Sequence, residues 1–225
     1  MRNNKSWQKD VADTHFKDPN TYQQKHYDTA VKHVAHRGTA IDVGAHIGIH
    51  TVRLSQDFGT VYAIEPINYE YLIQNTQHCD NVRCIHAGAS NTLGKMYAHN
   101  PAEHNSGAWE LTTVTSKHEV DVITIDSLNL TECDLIKIDT QGLEQQVVEG
   151  ARETIAKFTP VIWIEDKGTL VNYMFEELGY RLWDSHMKES VYTRDEQYLT
   201  TTQARLLSYK DVKELTDEQK KTIWG

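Results

Sequence analysis

Five short runs of nearly unbroken apolar residues, each followed by residues at helical spacing, constrain this chain more than any other feature. They read AIDVG (Ala40–Gly44), TVYAIEP (Thr60–Pro66), VRCIH (Val82–His86), CDLIKID (Cys133–Asp139) and PVIWIE (Pro160–Glu165). Strands that are apolar on both faces belong in a parallel sheet with helices above and below. The intervening segments supply those helices. Ile49, Val52 and Leu54 lie on one that stops at Gly59, and Tyr69 to Gln77 forms a second. Leu143, Val147, Val148, Ala151 and Ile155 share one face of a third, and Leu170 to Leu178 forms a fourth. YRLWDS, from Tyr180, adds another strand. The expected fold is α/β, a doubly wound and mostly parallel sheet with helices on both faces, a Rossmann-like arrangement.

With 225 residues the chain suits one sizeable domain. Asn20 to His36 reads as an amphipathic helix closed by Arg37-Gly38, so residues 1–38 are expected to form a helical extension. The main domain spans 39–202. Within it, Gly88 to Ser116 is a polar stretch, Val120 to Asp126 a short edge strand, and Val191 to Thr202 another. A tail, 203–225, looks helical from Thr216. No run of 18 apolar residues is present, so no membrane partner is expected. The net charge of −9 argues against nucleic acid as a partner, since phosphate contacts need a basic face. The first residues carry no secretory pattern and the three cysteines read as reduced thiols, which together suggest a cytoplasmic protein. Nothing in the pattern fixes an oligomeric state.

The first strand runs into a turn of the form D-x-G-x-x-x-G, made by Asp42, Gly44 and Gly48. In doubly wound sheets ligands sit beyond the carboxyl ends of the strands, which is where this turn lies. Gly44 permits a tight turn and a close approach to a ligand, and Gly48 lets the next helix begin with free N–H groups. A dinucleotide fingerprint needs glycine where this chain has His46 and Ile49, which disfavours a nucleotide-dependent oxidoreductase. The second strand ends at Glu65, about 20 residues past the turn, where a carboxylate can accept the hydroxyls of a ribose.

From Thr39 to Leu182 the chain resembles the class I S-adenosylmethionine-dependent methyltransferases, and within them the FkbM family. The resemblance rests on AIDVGAHIGIHT, VYAIEP, DLIKIDTQGLEQQVVEGA, PVIWIE and ELGYRL. The third block matches the family's K-I-D-x-E-G-x-E at Lys137, Ile138, Asp139, Gly142 and Glu144, and departs from it at Gln141. The resemblance implies S-adenosylmethionine as cofactor, with Asp42, Gly44, His46 and Gly48 around its amino-acid end and Glu65 on the ribose. Ala87 to Ser90 would lie near the adenine, flanked by Ile67 or Tyr69. It also implies methyl transfer, most often to an oxygen of a sugar or another natural product, so the expected partner is a small-molecule acceptor. A module that binds the cofactor without catalysis is the alternative that Gln141 keeps open.

Asp139 closes the fourth strand and is the residue expected at the reaction centre, as base or as positioning group. Glu165 and Asp166 close the neighbouring strand, and Glu165 is expected to meet the acceptor. Carboxylates at two adjacent strand ends also suit Mg²⁺, although the sequence supplies no further ligand pattern. His46 and His50 lie four apart without a third ligand, so no metal site is expected there. Either could reach the cofactor carboxylate or the acceptor. Lys137 reads as a satisfied structural charge. The polar loop Asn100 to Trp109, rimmed by His104 and Trp109, is expected to touch substrate.

Overall fold

The structure, a computed structural model, describes Trp7 and residues 21–102, 105–166, 170, 173–174, 178–186 and 189–194. The expected tail from 203, part of the Leu170–Leu178 helix and His104 lie outside the described residues. In chain order the first elements are α1 (Gln24–Lys32), β1 (Thr39–Val43), α2 (Ile49–Asp57), β2 (Thr60–Ile64), α3 (Tyr69–Thr76) and β3 (Val82–Ile85). Next come β4 (Gly88–Ala89), β5 (Gly94–His99), β6 (Glu110–Thr112), β7 (His118–Ile123) and β8 (Leu135–Ile138). The last are α4 (Glu144–Glu149), α5 (Arg152–Phe158), β9 (Val161–Glu165), β10 (Arg181–His186) and β11 (Glu189–Thr193).

Seven strands form the main sheet in the order β10-β11-β9-β8-β1-β2-β3. The five expected strands run parallel, and β11 pairs antiparallel with both β9 and β10. Alternate residues feed two cores, because successive side chains of a strand point to opposite faces. On one face Ile41, Val43, Ile136, Ile138, Ile162 and Ile164 pack with Val147 and Val148 of α4 and Ile155 of α5. On the other, Ala40, Val61, Leu135, Val161 and Trp163 pack under Tyr27, Ala30 and Val31 of α1 and Leu54 of α2. Burying each such aliphatic side chain stabilises the fold by roughly 1.5–3 kcal/mol. The helices thus cover both faces of the sheet and leave its carboxyl edge to the cavity described below.

Three local expectations are corrected. The polar stretch after Gly88 is not a plain loop: β4, β5 and β6 join β7 in a second, four-stranded sheet, in the order β4-β7-β5-β6. Its strands are mostly exposed, so they carry polar residues and give no apolar run to read. Their partner β7 replaces the edge strand expected at Val120–Asp126. The helix expected to be continuous from Leu143 to Ile155 breaks at Gly150, where a Cβ would lie 2.1 Å from the Ser90 carbonyl oxygen. The Asp126 carboxylate restarts it by accepting the N–H groups of Glu153 (3.1 Å) and Thr154 (2.8 Å). Finally, α1 is shorter than expected and ends at Lys32, while Arg37 pairs with Asp57 at 3.1 Å.

Candidate active site

A cavity of about 460 Å³ opens at the carboxyl edge of the main sheet. That volume suits a nucleoside-sized ligand. Gly44, His46, Glu65, Ala87, Trp109, Asp139 and Glu165 all line it. Asp42, Gly48 and Ser90 do not, and the structure gives each a different position.

Asp42 lies under the floor, fully buried, with Oδ1 3.2 Å from Lys137 Nζ and Oδ2 accepting the Thr51 hydroxyl at 2.7 Å. The register explains this, since Asp42, Lys137 and Trp163 stand side by side on β1, β8 and β9, on the face covered by α1 and α2. Gly48 caps α2 at φ 92°, and a Cβ there would lie 3.0 Å from Leu72 Cδ1. Ser90 is buried behind β4, against Gly150. Gly44 does line the cavity, but its need for glycine comes from the protein. Its φ is 73°, and a Cβ would lie 1.8 Å from the Asp139 carbonyl oxygen. The turn therefore locks β1 against the end of β8.

Glu65 is 5% exposed and anchors the next turn. Its Oε2 accepts the His46 N–H at 2.9 Å, and its Oε1 accepts those of Ile67 and Asn68, both at 2.7 Å. A carboxylate offers about four lone-pair sites, so Glu65 keeps one for a ligand. His46 sits at φ 51° and bonds Ser106 Oγ through Nε2 at 2.7 Å. Asn68 Nδ2 donates to the Ser106 carbonyl at 3.1 Å, so the loop before Trp109 is tied down onto the glycine turn. Asn105, Ser106 and Gly107 of that loop line the cavity with Trp109. Ile67 and Tyr69 stay outside it, Tyr69 stacking on His86 at 4.3 Å.

Asp139 follows β8 directly. Its Oδ1 accepts the Gln141 amide at 2.9 Å, and Lys137 Nζ lies 3.9 Å from Oδ2. The same Gln141 Nε2 donates to Glu165 Oε2 at 3.1 Å, so one amide bridges the two strand-end carboxylates. Glu144 Oε1 accepts the N–H groups of Gly142 (2.9 Å) and Thr140 (3.3 Å), fixing the loop between them. Asp166 turns away from Glu165 and accepts the Tyr192 hydroxyl. Among the described residues no group of three or more His, Cys, Asp or Glu is arranged to hold a metal ion.

Several lining residues were not legible as site residues. Lys137, expected to be structural, lines the cavity while 3% exposed. Burial opposes its charge, but Asp42, then Asp139 and Glu189, outweigh that and raise its pKa above the usual lysine range. Glu189 also lines the cavity, with Oε2 accepting Trp163 Nε1 at 2.6 Å and Oε1 accepting Gln23 Nε2 at 2.8 Å. Burial, with Asp139 nearby, pushes its carboxyl up to about 7, against the opposite pull of Lys137, Trp163 and Gln23. Tyr22, Gln23 and His26 bring the start of the chain into the same wall. Burial, then Asp139, pushes the Tyr22 hydroxyl up to about 12. Only the pairing of β11 with β9, which sets Glu189 opposite Glu165, could have pointed to Glu189.

A family model described as "Methyltransferase FkbM domain" matches residues 42–183. Among solved structures, methyltransferase FkbM from Methylobacillus flagellatus KT is similar at 19% identity and a TM-score of 0.53, covering 78% of this chain and 50% of that one. This chain therefore spans about half the length of that relative. A precorrin 8w decarboxylase from Methanobacterium thermoautotrophicum is similar at 14% identity and a TM-score of 0.50, covering 86% of this chain and 99% of that one. M. jannaschii TYW2, solved in complex with AdoMet, is similar at 17% identity and a TM-score of 0.42, covering 83% and 81%. At these identities the likeness concerns the fold. No curated protein matches the sequence. Among the described residues no helix is long and apolar enough to cross a membrane.

Proposed function

We infer the activity from one premise: the chain belongs to the FkbM methyltransferase family. On that premise the reading is an S-adenosylmethionine-dependent methyltransferase acting on a hydroxyl oxygen of a sugar or another small natural product. The observation that carries it is a single cavity bounded by Glu65 at the end of β2 and by Asp139 at the end of β8. The lining fits a cationic cofactor, because Glu65, Asp139, Glu165 and Glu189 face one ammonium, Lys137, which is itself paired with Asp42.

In this reading Glu65 would hold the ribose through its remaining lone-pair site, while Gly44, His46 and Ala87 would line the cofactor end. The cofactor, when bound, supplies a methyl group activated on a sulfonium. The protein's task is then alignment, which can account for much of a rate enhancement. Asp139 orients the acceptor hydroxyl, its own carboxylate fixed by Gln141 on one oxygen and by the nearby Lys137 on the other. Glu165, held by the same amide, and Trp109 bound the acceptor.

The test is calorimetric titration with S-adenosylhomocysteine and with NAD side by side, followed by a screen of hydroxyl-bearing acceptors for S-adenosylhomocysteine release. Binding of S-adenosylhomocysteine alone, with release on an acceptor, is expected. Preferential binding of NAD would replace the reading with an oxidoreductase. Binding without release on any acceptor would leave a cofactor-binding module. With an accepted substrate, Asp139→Asn should lower turnover about 10²–10⁴-fold while leaving cofactor affinity nearly unchanged.

A further inference from the structure

The start of the chain is fastened into the cavity wall from two directions. Arg53 of α2 donates Nη1 to the Tyr22 carbonyl. The Gln23 amide is spent at both ends, Nε2 donating to Glu189 Oε1 at 2.8 Å and the oxygen lying 2.8 Å from His50 Nε2. Gln23 is held at φ 48°, a left-handed conformation that a residue with a side chain keeps only where its surroundings enforce it. These contacts fix the backbone of Tyr22, whose half-buried side chain lines the cavity. Its ring packs against the cluster of Ile47, Ile49 and Val52 and lies 5.8 Å from the His50 ring.

Tyr22 stands at the Asp139 end of the cavity. The His50 ring lies 4.8 Å from that of Trp163, the Trp163 ring 5.8 Å from Lys137 Nζ, and that ammonium 3.9 Å from Asp139 Oδ2. After burial, Asp139 is the charge that acts most on the Tyr22 hydroxyl, ahead of Lys137, Glu189 and Glu165. Burial and the three carboxylates hold it as a neutral phenol, with one hydrogen to give and lone pairs to offer. Hydrogen bonds to a charged group are the strong ones, so the hydrogen turns to a carboxylate and the lone pairs remain for a ligand. A neutral oxygen suits a methyl group polarised by a cationic sulfur, through C–H···O contacts. Being protonated, it is also too poor a nucleophile to take that methyl itself.

We propose that Tyr22 is a further residue of the reaction centre, its phenol oxygen meeting the sulfonium methyl of bound S-adenosylmethionine and aiming it past Asp139 at the acceptor. The residue comes from the flank that precedes the matched span 42–183. It positions the methyl group and takes no part in moving a proton. This rests on the methyltransferase reading, and the test separates the two.

The experiment is ¹H–¹³C NMR of [methyl-¹³C]S-adenosylmethionine bound to the full chain, with calorimetry of that compound and of S-adenosylhomocysteine. A C–H···O contact deshields the methyl protons, so their bound resonance is expected downfield of the free one and should move upfield in Tyr22→Phe. That variant should bind S-adenosylmethionine about two- to fivefold more weakly. S-adenosylhomocysteine, which lacks the methyl, should bind it as well as it binds the wild type. If the variant does not fold, 3-fluorotyrosine incorporated throughout the wild-type chain takes its place. Fluorine makes the phenol oxygen a weaker acceptor, and Tyr22 is the one tyrosine among the described lining residues, so the methyl resonance should again move upfield. An unmoved methyl resonance, or equal losses for the two compounds, would overturn the proposal and leave Tyr22 a structural wall. Failure of the wild-type chain to bind either compound would remove the methyltransferase reading, and the proposal with it.

Discussion

Gln141 holds Asp139 from an unusual backbone position. It sits in the left-handed region at φ 53°, and from there its Nε2 reaches Asp139 Oδ1 at 2.9 Å and Glu165 Oε2 at 3.1 Å. A glutamine here is a departure from the pattern that FkbM-type sequences usually show, yet it supplies what two facing carboxylates lack, a shared donor.

Gln141→Glu should therefore cost stability, by removing two charge-assisted hydrogen bonds and adding a third carboxylate. The loss is expected to be on the order of 1–2 kcal/mol, since part of the group is exposed to solvent. Urea unfolding measures it, and equal stability of the two chains would show that the bridge contributes nothing.

Gly44 and Gly142 both have positive φ, at 73° and 107°, but only at Gly44 would a Cβ strike backbone. Gly142→Ala meets nothing within 4 Å and should cost only the left-handed penalty, about 1–2 kcal/mol. Gly44→Ala must push Asp139 and β8 away from β1 and should cost well over 3 kcal/mol or prevent folding. Thermal melts followed by circular dichroism compare the two. Similar melting temperatures would mean that β1 and β8 have room to part.

Glu189 makes stability depend on pH in a stated direction. Its carboxyl is raised from 4.5 to about 7, so the folded protein holds that proton more tightly than the unfolded chain. The associated stabilisation is complete below about 4.5 and is lost as pH rises through about 7. One pKa unit corresponds to about 1.4 kcal/mol, so the whole effect is roughly 3 kcal/mol at most. Glu189→Gln should flatten the stability profile across that window, as read by urea midpoints at half-unit intervals. An identical slope in both chains would assign the titration to another group.

Glu65 should matter to both ligand and fold. Hydrogen bonds to a charged group contribute roughly 1.5–3 kcal/mol each, so Glu65→Ala should weaken S-adenosylhomocysteine at least about tenfold. Three backbone N–H groups lose their acceptor at the same time, so circular dichroism must accompany the calorimetry. Unchanged affinity in a folded protein would move the ribose elsewhere.

The parallel core was legible because each of β1, β2, β8 and β9 must be apolar on both faces, and Ile41, Ile64, Ile136 and Ile162 advertise that without any knowledge of their neighbours. Asp139 and Glu65 were legible for a related reason, standing at the ends of those runs. What could not be read depends on pairing across long distances. Nothing near Glu189 marks it, and its place in the cavity follows from β11 returning antiparallel beside β9. Asp42 precedes the glycine turn, which by itself points to a ligand, yet strand alternation turns it beneath the sheet edge toward Lys137. The second sheet went unseen because its strands, largely in solvent, need no apolar pattern.

The bond between Gln23 and Glu189 joins positions 166 residues apart. Both lie outside the span 42–183 that the family model covers, whereas Gly44, Glu65 and Asp139 lie within it. One end of the cavity is thus closed by two flanks of the chain that meet only once it has folded. A cut or a substitution in either flank therefore reaches that end while leaving the glycine turn and the strand ends of Glu65 and Asp139 in one continuous stretch.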